Sequence, residues 1–232
     1  MTKKIRIFGA GVRASIVVDL ISWQFIDQYF VEGYYDDRFS IGSVGPRGYP
    51  VLGNVAQGLK ETYKSGTSVF IALGTKASAF GWEVFLALNN QSIDIVNLVS
   101  PSAHISPSSQ IGQNSLVLPG VYVGCEARIG NMFCAHGGSV VEHHCKVGNN
   151  VLLGPGVAIA SKVTIGHHTF VGAGSQIIPE MSIGSGTILG AGSLVVRDIP
   201  SYVVAYGQPA TPMRNVRSGD EVPTEQDIKR FQ

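Results

Sequence analysis

ISPSSQ-IGQNSL-VLPGVY-VGCEAR-IGNMFC-AHGGSV-VEHHCK-VGNNVL, residues 105–152, decides the fold. Each six-residue block opens on an aliphatic residue, and the beat continues through Leu153, Ile159, Ile165, Val171, Ile177, Ile183 and Leu189 to Val195. An α-helix needs a period near 3.6 and a lone strand a period of 2, so six fits neither as a single element. It fits a chain wound into a triangular prism, three sides to a turn, with one aliphatic side chain per side pointing inward. A small residue often stands two places before the aliphatic one, as at Ser115, Ser139, Cys145, Ser175 and Ser193. Glycine often follows it, as at Gly124, Gly130, Gly148, Gly166 and Gly184, where it is expected to relieve the backbone at the corners. This is the hexapeptide repeat of a parallel β-helix.

Upstream the rhythm changes. IRIFGAG (5–11), VEGYYDD (31–37), VFIALG (69–74) and IVNLVS (95–100) read as strands. ASIVVDLISWQF, VAQGLKETYKSG and GWEVFLALNN read as the helices between them. Alternating strands and helices predict a small parallel α/β sheet, about half of a full dinucleotide-binding (Rossmann) fold. The expected division is an α/β domain at 1–100, a β-helix at 101–196, and a C-terminal cap and tail at 197–232. The polar last stretch, from Arg217, suits a short helix or a frayed end.

Composition narrows the function. Of 232 residues 14% are charged, the net charge is +1 and no Lys/Arg cluster occurs, which argues against nucleic acid as a partner. No apolar run reaches membrane-spanning length, and MTKKIRIFGAG runs straight into a strand and lacks a secretory segment, so no membrane insertion is expected. Three cysteines, an odd number, fit a reducing cytoplasmic setting better than a disulfide framework. Cys145, on a small inward position, reads as packing.

Three groups of residues can carry chemistry. Gly9-Ala10-Gly11-Val12-Arg13-Ala14 follows a strand, opens a helix and matches G-x-G-x-x-G/A, with Asp36 and Asp37 about 25 positions on. Amides at such a helix start can hold a diphosphate and the carboxylates can accept from ribose or base; equally, the glycines serve a plain tight turn. The repeat carries His136, His143, His144, His167 and His168, and both pairs fall near corners and are expected to face outward. His143 is a suitable general base, with Glu142 either orienting it or merely solvated. Gly172-Ala173-Gly174 and Gly190-Ala191-Gly192 stack on one corner, as a smooth strip for a thin ligand with bare amides or as small residues in tight turns.

FGAG, YYDD, YPVLG, FIALG, NLVSPSAHISPSS, the unbroken hexapeptides, VEHHC and YGQPATPMR together resemble the bacterial nucleotide-aminosugar N-acetyltransferases over residues 4 to about 216. That group includes the enzymes of bacillosamine and perosamine and the sialic-acid O-acetyltransferases. The resemblance implies a left-handed β-helix, against the usual crossover hand, and a homotrimer with active sites between neighbouring prisms. It implies His143 as catalytic base, with Glu142 and His144 beside it as further catalytic candidates; where the family often has an acidic residue after the base this chain has His144, so that either Glu142 or a residue from elsewhere takes the tuning role or His143 works untuned. It places a nucleotide-linked sugar at Gly11, Val12, Arg13, Asp36, Asp37 and Gly74, and acetyl-CoA near Leu152, Ala173 and Ala191, with no metal required. Where the family often has Gly-His after the first glycines, this chain has Val12-Arg13, and Leu152 stands where many members have histidine.

The expected reaction is acetyl transfer from acetyl-CoA to the amine of a nucleotide-linked 4-amino-4,6-dideoxy sugar, UDP- or dTDP-linked as the first choice. Sugar O-acetylation, a zinc hydratase of the γ-carbonic-anhydrase type and an inactive scaffold are the competing readings.

Overall fold

The computed structural model describes residues 2–74, 78–91 and 93–229. The chain divides into two compact units, Met1–Leu98 and Val99–Gln232.

The first unit is built on a parallel sheet of four strands, β1 (Lys3–Phe8), β2 (Tyr29–Tyr35), β3 (Val51–Gly53) and β4 (Ser68–Ile71), in the order β3-β2-β1-β4. Ile5, Ile7 and Phe8 of β1 and all four residues of β4 are buried, as expected for parallel strands covered on both faces. Helix α1 (Val12–Gln24) joins β1 to β2, α2 (Val55–Ser65) joins β3 to β4, and α3 (Ser78–Asn89) follows β4. A reciprocal cap starts α2: Asn54 Oδ1 accepts from the Gln57 N–H at 2.8 Å, and Gln57 Oε1 from the Asn54 N–H at 2.9 Å. The strand expected over 95–100 is split. Ile95 makes only an isolated parallel bridge to Val69, and Leu98–Val99 is a separate two-residue strand.

In the second unit two-residue strands repeat at every side of the prism and stack into three parallel sheets. Arg128 pairs with Lys146 and Lys146 with Thr164 on one face; Cys134, Leu152 and Phe170 align on the second; Val140, Ala158 and Gln176 align on the third. The inward aliphatics from Val117 to Val195 are buried to 5% exposure or less, and Ile105 and Ile111 in the first coil are partly buried against them. The small inward residues satisfy corner carbonyls. Ser139 Oγ donates to the carbonyl oxygens of His136 at 2.7 Å and Gly154 at 2.9 Å, Ser175 Oγ to Gly190 at 3.0 Å, and Cys145 Sγ to Ala160 at 3.1 Å. Burial, the largest influence, raises the Cys145 thiol above its ordinary pKa, consistent with a packing role.

The corners correct the expectation about glycine. The left-handed backbone falls three places after the aliphatic residue, where glycine holds it at Gly120, Gly138, Gly156, Gly174, Gly186 and Gly192 and non-glycine residues hold it at Asn114, Glu126, Met132, His144, Asn150, Lys162, His168 and Glu180. The glycine directly after the aliphatic residue answers to close approach instead: a Cβ on Gly172 would lie 2.5 Å from the Ala191 nitrogen of the next coil. After Val195 the stack is closed by an antiparallel hairpin. Its first strand, Val203–Gly207, pairs with Ile188–Leu189, and its second is Ala210–Asn215.

Candidate active site

Within the first unit, Gly11, Val12, Arg13, Asp36, Asp37 and Gly74 line one cavity of about 580 Å3, together with Arg38 and Phe80, which the sequence reading did not single out. Gly9 ends β1 with φ +103°, and a Cβ there would lie 3.1 Å from the Ala72 backbone, so only glycine lets the chain turn here. The chain then enters α1, which has no side-chain cap and no acidic residue in its first turn. Its first N–H groups give the cavity the positive end of a helix dipole. The Arg13 guanidinium donates from Nη1 to the Leu73 carbonyl at 2.7 Å, which fixes it at the end of β4.

Asp36 has a different part from the one its position suggests. It is 2% exposed, and both its oxygens are spent inside the protein. Oδ2 accepts from the Ala10 N–H at 2.7 Å and Arg38 Nη2 at 2.6 Å; Oδ1 accepts from the Arg38 N–H at 3.0 Å and Arg38 Nε at 2.9 Å. Burial pushes this carboxyl up, but the hydrogen bonds from Arg38 and the two amides outweigh it and hold the pKa below the ordinary value. Asp36 therefore presents Arg38 to the cavity and leaves ribose without a free acceptor at this carboxylate. Asp37 Oδ1 accepts from the Val55 N–H at 2.9 Å, at the start of α2. A D-D-x motif read for its carboxylates hides the arginine that the first of them orients.

In the second unit the histidine pairs sit on two different corners and are not alike. His143 and His144 follow Val140–Val141. Their Nδ1 atoms are 3.0 Å apart and their rings are perpendicular, at 89°. Glu142 does not reach that ring: its Oε2 accepts from the His143 backbone N–H, at 3.4 Å. His167 and His168 follow Thr164–Ile165 and belong to the architecture. Along this corner Asn131 Oδ1 accepts from the Gln113 N–H, Asn149 Oδ1 from Asn131, His167 Nδ1 from Asn149, and Ser185 Oγ from His167, each one coil apart. His168, expected to face outward, is 4% exposed, lies 3.0 Å from Asn150 Nδ2, and has its pKa lowered by burial to about 4. The 18-residue spacing of polar residues from Gln113 to Ser185 carries this ladder in the sequence and is the signal that finds it.

Ala173 and Ala191 are exposed one coil apart on the third corner. The strip is smooth, but its amides are only partly bare, since the Gly174 and Gly192 N–H groups donate to the carbonyls of Pro155 and Ala173. Leu152 lies on the preceding face, aligned with Cys134 and Phe170. The face that carries Val140–Val141 and Ala158–Ile159 has the alanine corner along one edge and the His143 corner along the other. Among the described residues no cluster of histidine, cysteine or carboxylate side chains is arranged to hold a metal ion, and no helix is long and apolar enough to cross a membrane.

The chain thus joins an α/β unit that has a cavity at its glycine turn to a hexapeptide β-helix that has a histidine pair on one corner. The family model of the PglD N-terminal domain matches residues 4–78. PerB from Caulobacter crescentus, solved in complex with CoA and GDP-perosamine, superposes with a TM-score of 0.82 at 30% identity, over 92% of this chain and 98% of that one. A variant of the perosamine N-acetyltransferase from the same organism gives 0.82 at 28% identity, over 93% and 99%. The acetyltransferase domain of PglB from Neisseria gonorrhoeae, with acetyl coenzyme A, gives 0.81 at 25% identity, over 92% and 100%. No curated protein matches by sequence. The chain belongs to the bacterial nucleotide-aminosugar N-acetyltransferase family, and it is an acetyl-CoA-dependent enzyme of that family.

Proposed function

We propose that the protein moves the acetyl group of acetyl-CoA onto the amine of a nucleotide-linked 4-amino-4,6-dideoxy sugar. The observation that carries the reading is the full-length similarity to PerB, which holds CoA and GDP-perosamine, in a chain that has both the α1 cavity and the His143 corner. The nucleotide diphosphate lies at the N-terminus of α1, where helix dipole and the Arg13 and Arg38 guanidinium groups favour anions. Acetyl-CoA lies along the Ala173–Ala191 strip near Leu152.

His143 accepts a proton as the amine attacks the thioester carbonyl; the N–C bond forms, the C–S bond breaks, and CoA leaves as a thiolate that takes up a proton. A positioned base contributes about 10² to 10⁴ in rate. Glu142 supports the His143 main chain. The working form is a homotrimer in the cytoplasm, with each active site between neighbouring prisms. His143→Ala, assayed by CoA thiol release, is expected to lose at least about a hundredfold in kcat while the sedimentation coefficient stays that of the wild-type trimer. Near-normal kcat contradicts the base, and a monomer retaining full activity contradicts the shared site.

A further inference from the structure

We infer that His144 sets the tautomer of His143: its neutral Nδ1 accepts the His143 Nδ1–H and thereby frees His143 Nε2 to act as the base. The inference rests on the reading of His143 as that base. Two imidazole nitrogens 3.0 Å apart share one hydrogen, so the pair has two neutral arrangements. When His143 donates, its Nε2 carries a lone pair and can take a proton. When His144 donates, His143 Nε2 carries the hydrogen and cannot. The first arrangement is the productive one. It also leaves the imidazolium formed during reaction with a hydrogen-bond acceptor on its far side, without a carboxylate charge.

The geometry is built for this contact. His144 holds φ +60°, the left-handed corner conformation, and its N–H donates to the Cys125 carbonyl of the preceding coil at 2.9 Å. The Lys162 N–H of the following coil donates to the His143 carbonyl at 3.0 Å. The turn is thus pinned from both sides, and the rings meet because the main chain turns sharply between them. Other groups around the pair are Glu142 in the same turn, Cys125 one coil before His143, and Glu126 and Lys162 at the equivalent positions to either side of His144. Lys162 is itself tied to Glu180 at 3.1 Å. Glu142 directly precedes the pair in sequence, and the bond it makes is to the His143 backbone.

The test uses substitutions that the left-handed corner tolerates. His144→Gly keeps the backbone and removes the acceptor; His144→Asn places a carbonyl oxygen at the same bond distance from Cα as Nδ1; His144→Asp adds a charge there. For His144→Gly, kcat is expected to fall about tenfold to a hundredfold, as for an imidazole that loses its orienting partner, with KM for both substrates within about twofold and an unchanged melting temperature. His144→Asn is expected to recover most of kcat. His144→Asp is expected to move the acidic limb of the kcat/KM profile upward by about one pH unit, since a neighbouring carboxylate favours the imidazolium. Long-range ¹H–¹⁵N spectra of labelled histidine are expected to show His143 protonated at Nδ1 in the wild type and not in His144→Gly. Wild-type kcat and pH profile in His144→Gly overturn the inference while leaving His143 as base. Activity retained in His143→Ala overturns the reading beneath it.

Discussion

Asp36 holds the Arg38 guanidinium by two nitrogens, Nε at 2.9 Å and Nη2 at 2.6 Å, and the same carboxylate accepts the Ala10 N–H at the glycine turn. One buried anion therefore ties the start of α1 to the arginine that stands at the rim of the cavity. A Cβ on Gly11 would come within 3.2 Å of Arg38 Nη2, so arginine and turn are in near contact.

Arg38→Ala is expected to raise KM for the nucleotide sugar about tenfold to a hundredfold, the worth of a charge-assisted hydrogen bond to phosphate. The acetyl-CoA KM stays within about twofold in the same steady-state assay. Asp36→Ala follows Arg38→Ala in direction and also lowers the melting temperature, because the Ala10 N–H loses its acceptor. An acetyl-CoA KM that moves instead contradicts this division of the substrates.

Gly124→Ala tests how the base is positioned from the coil beneath it. The added Cβ would lie 2.7 Å from the His143 nitrogen and 3.0 Å from the Glu142 carbonyl carbon, both backbone atoms that cannot swing away. The expected result is a loss of about tenfold or more in kcat with both KM values changed little. Unchanged kcat shows that the His143 turn tolerates displacement.

Ala191→Glu places a carboxylate on the exposed strip where the anionic co-substrate is proposed to run. KM for acetyl-CoA is expected to rise about tenfold or more by like-charge repulsion, with the nucleotide-sugar KM unmoved. Equal values for mutant and wild type remove the strip from the binding site.

His168 gives the β-helix a pH dependence. Its pKa is lowered from the ordinary 6.5 to about 4, so as pH falls the unfolded chain takes the proton first. Its contribution to stability is complete above about pH 6.5, declines as pH falls toward 4, and is flat below. The drop is about 3 kcal/mol at most. His168→Asn, at a backbone of φ +56° that asparagine accepts, is expected to flatten chemical-denaturation stability between these limits. A mutant with the wild-type slope places the dependence elsewhere.

The inward half of the β-helix was legible because burial acts on side chains at a fixed spacing: Val117 through Val195 occupy the interior that their period assigns. The corners were less legible. Glycine draws attention to itself and holds some of the left-handed positions, yet others are held by His144, His168 and their equivalents, whose N–H groups donate to carbonyls of the preceding coil. The cavity residues came from a strand–glycine–helix pattern, but Arg38 did not, since its importance depends on Asp36 turning inward. His167 and His143 read alike in sequence; one is a rung in a ladder of amide acceptors and the other faces a second imidazole. The ladder joins residues 18 apart, whereas the His143 contact is with its neighbour across a sharp turn, and neither follows from the hexapeptide period alone.

The central claim is N-acetylation of a nucleotide-linked amino sugar. Its most direct test is mass-resolved product analysis with acetyl-CoA and a panel of GDP-, UDP- and dTDP-linked 4-amino-4,6-dideoxy sugars, with free sugars and sialic acid as controls. The account predicts one nucleotide amino sugar converted to its acetamide with one CoA released per product. Acetyl appearing only on a hydroxyl of a control sugar, or no transfer to any amino sugar at saturating acetyl-CoA, would contradict it.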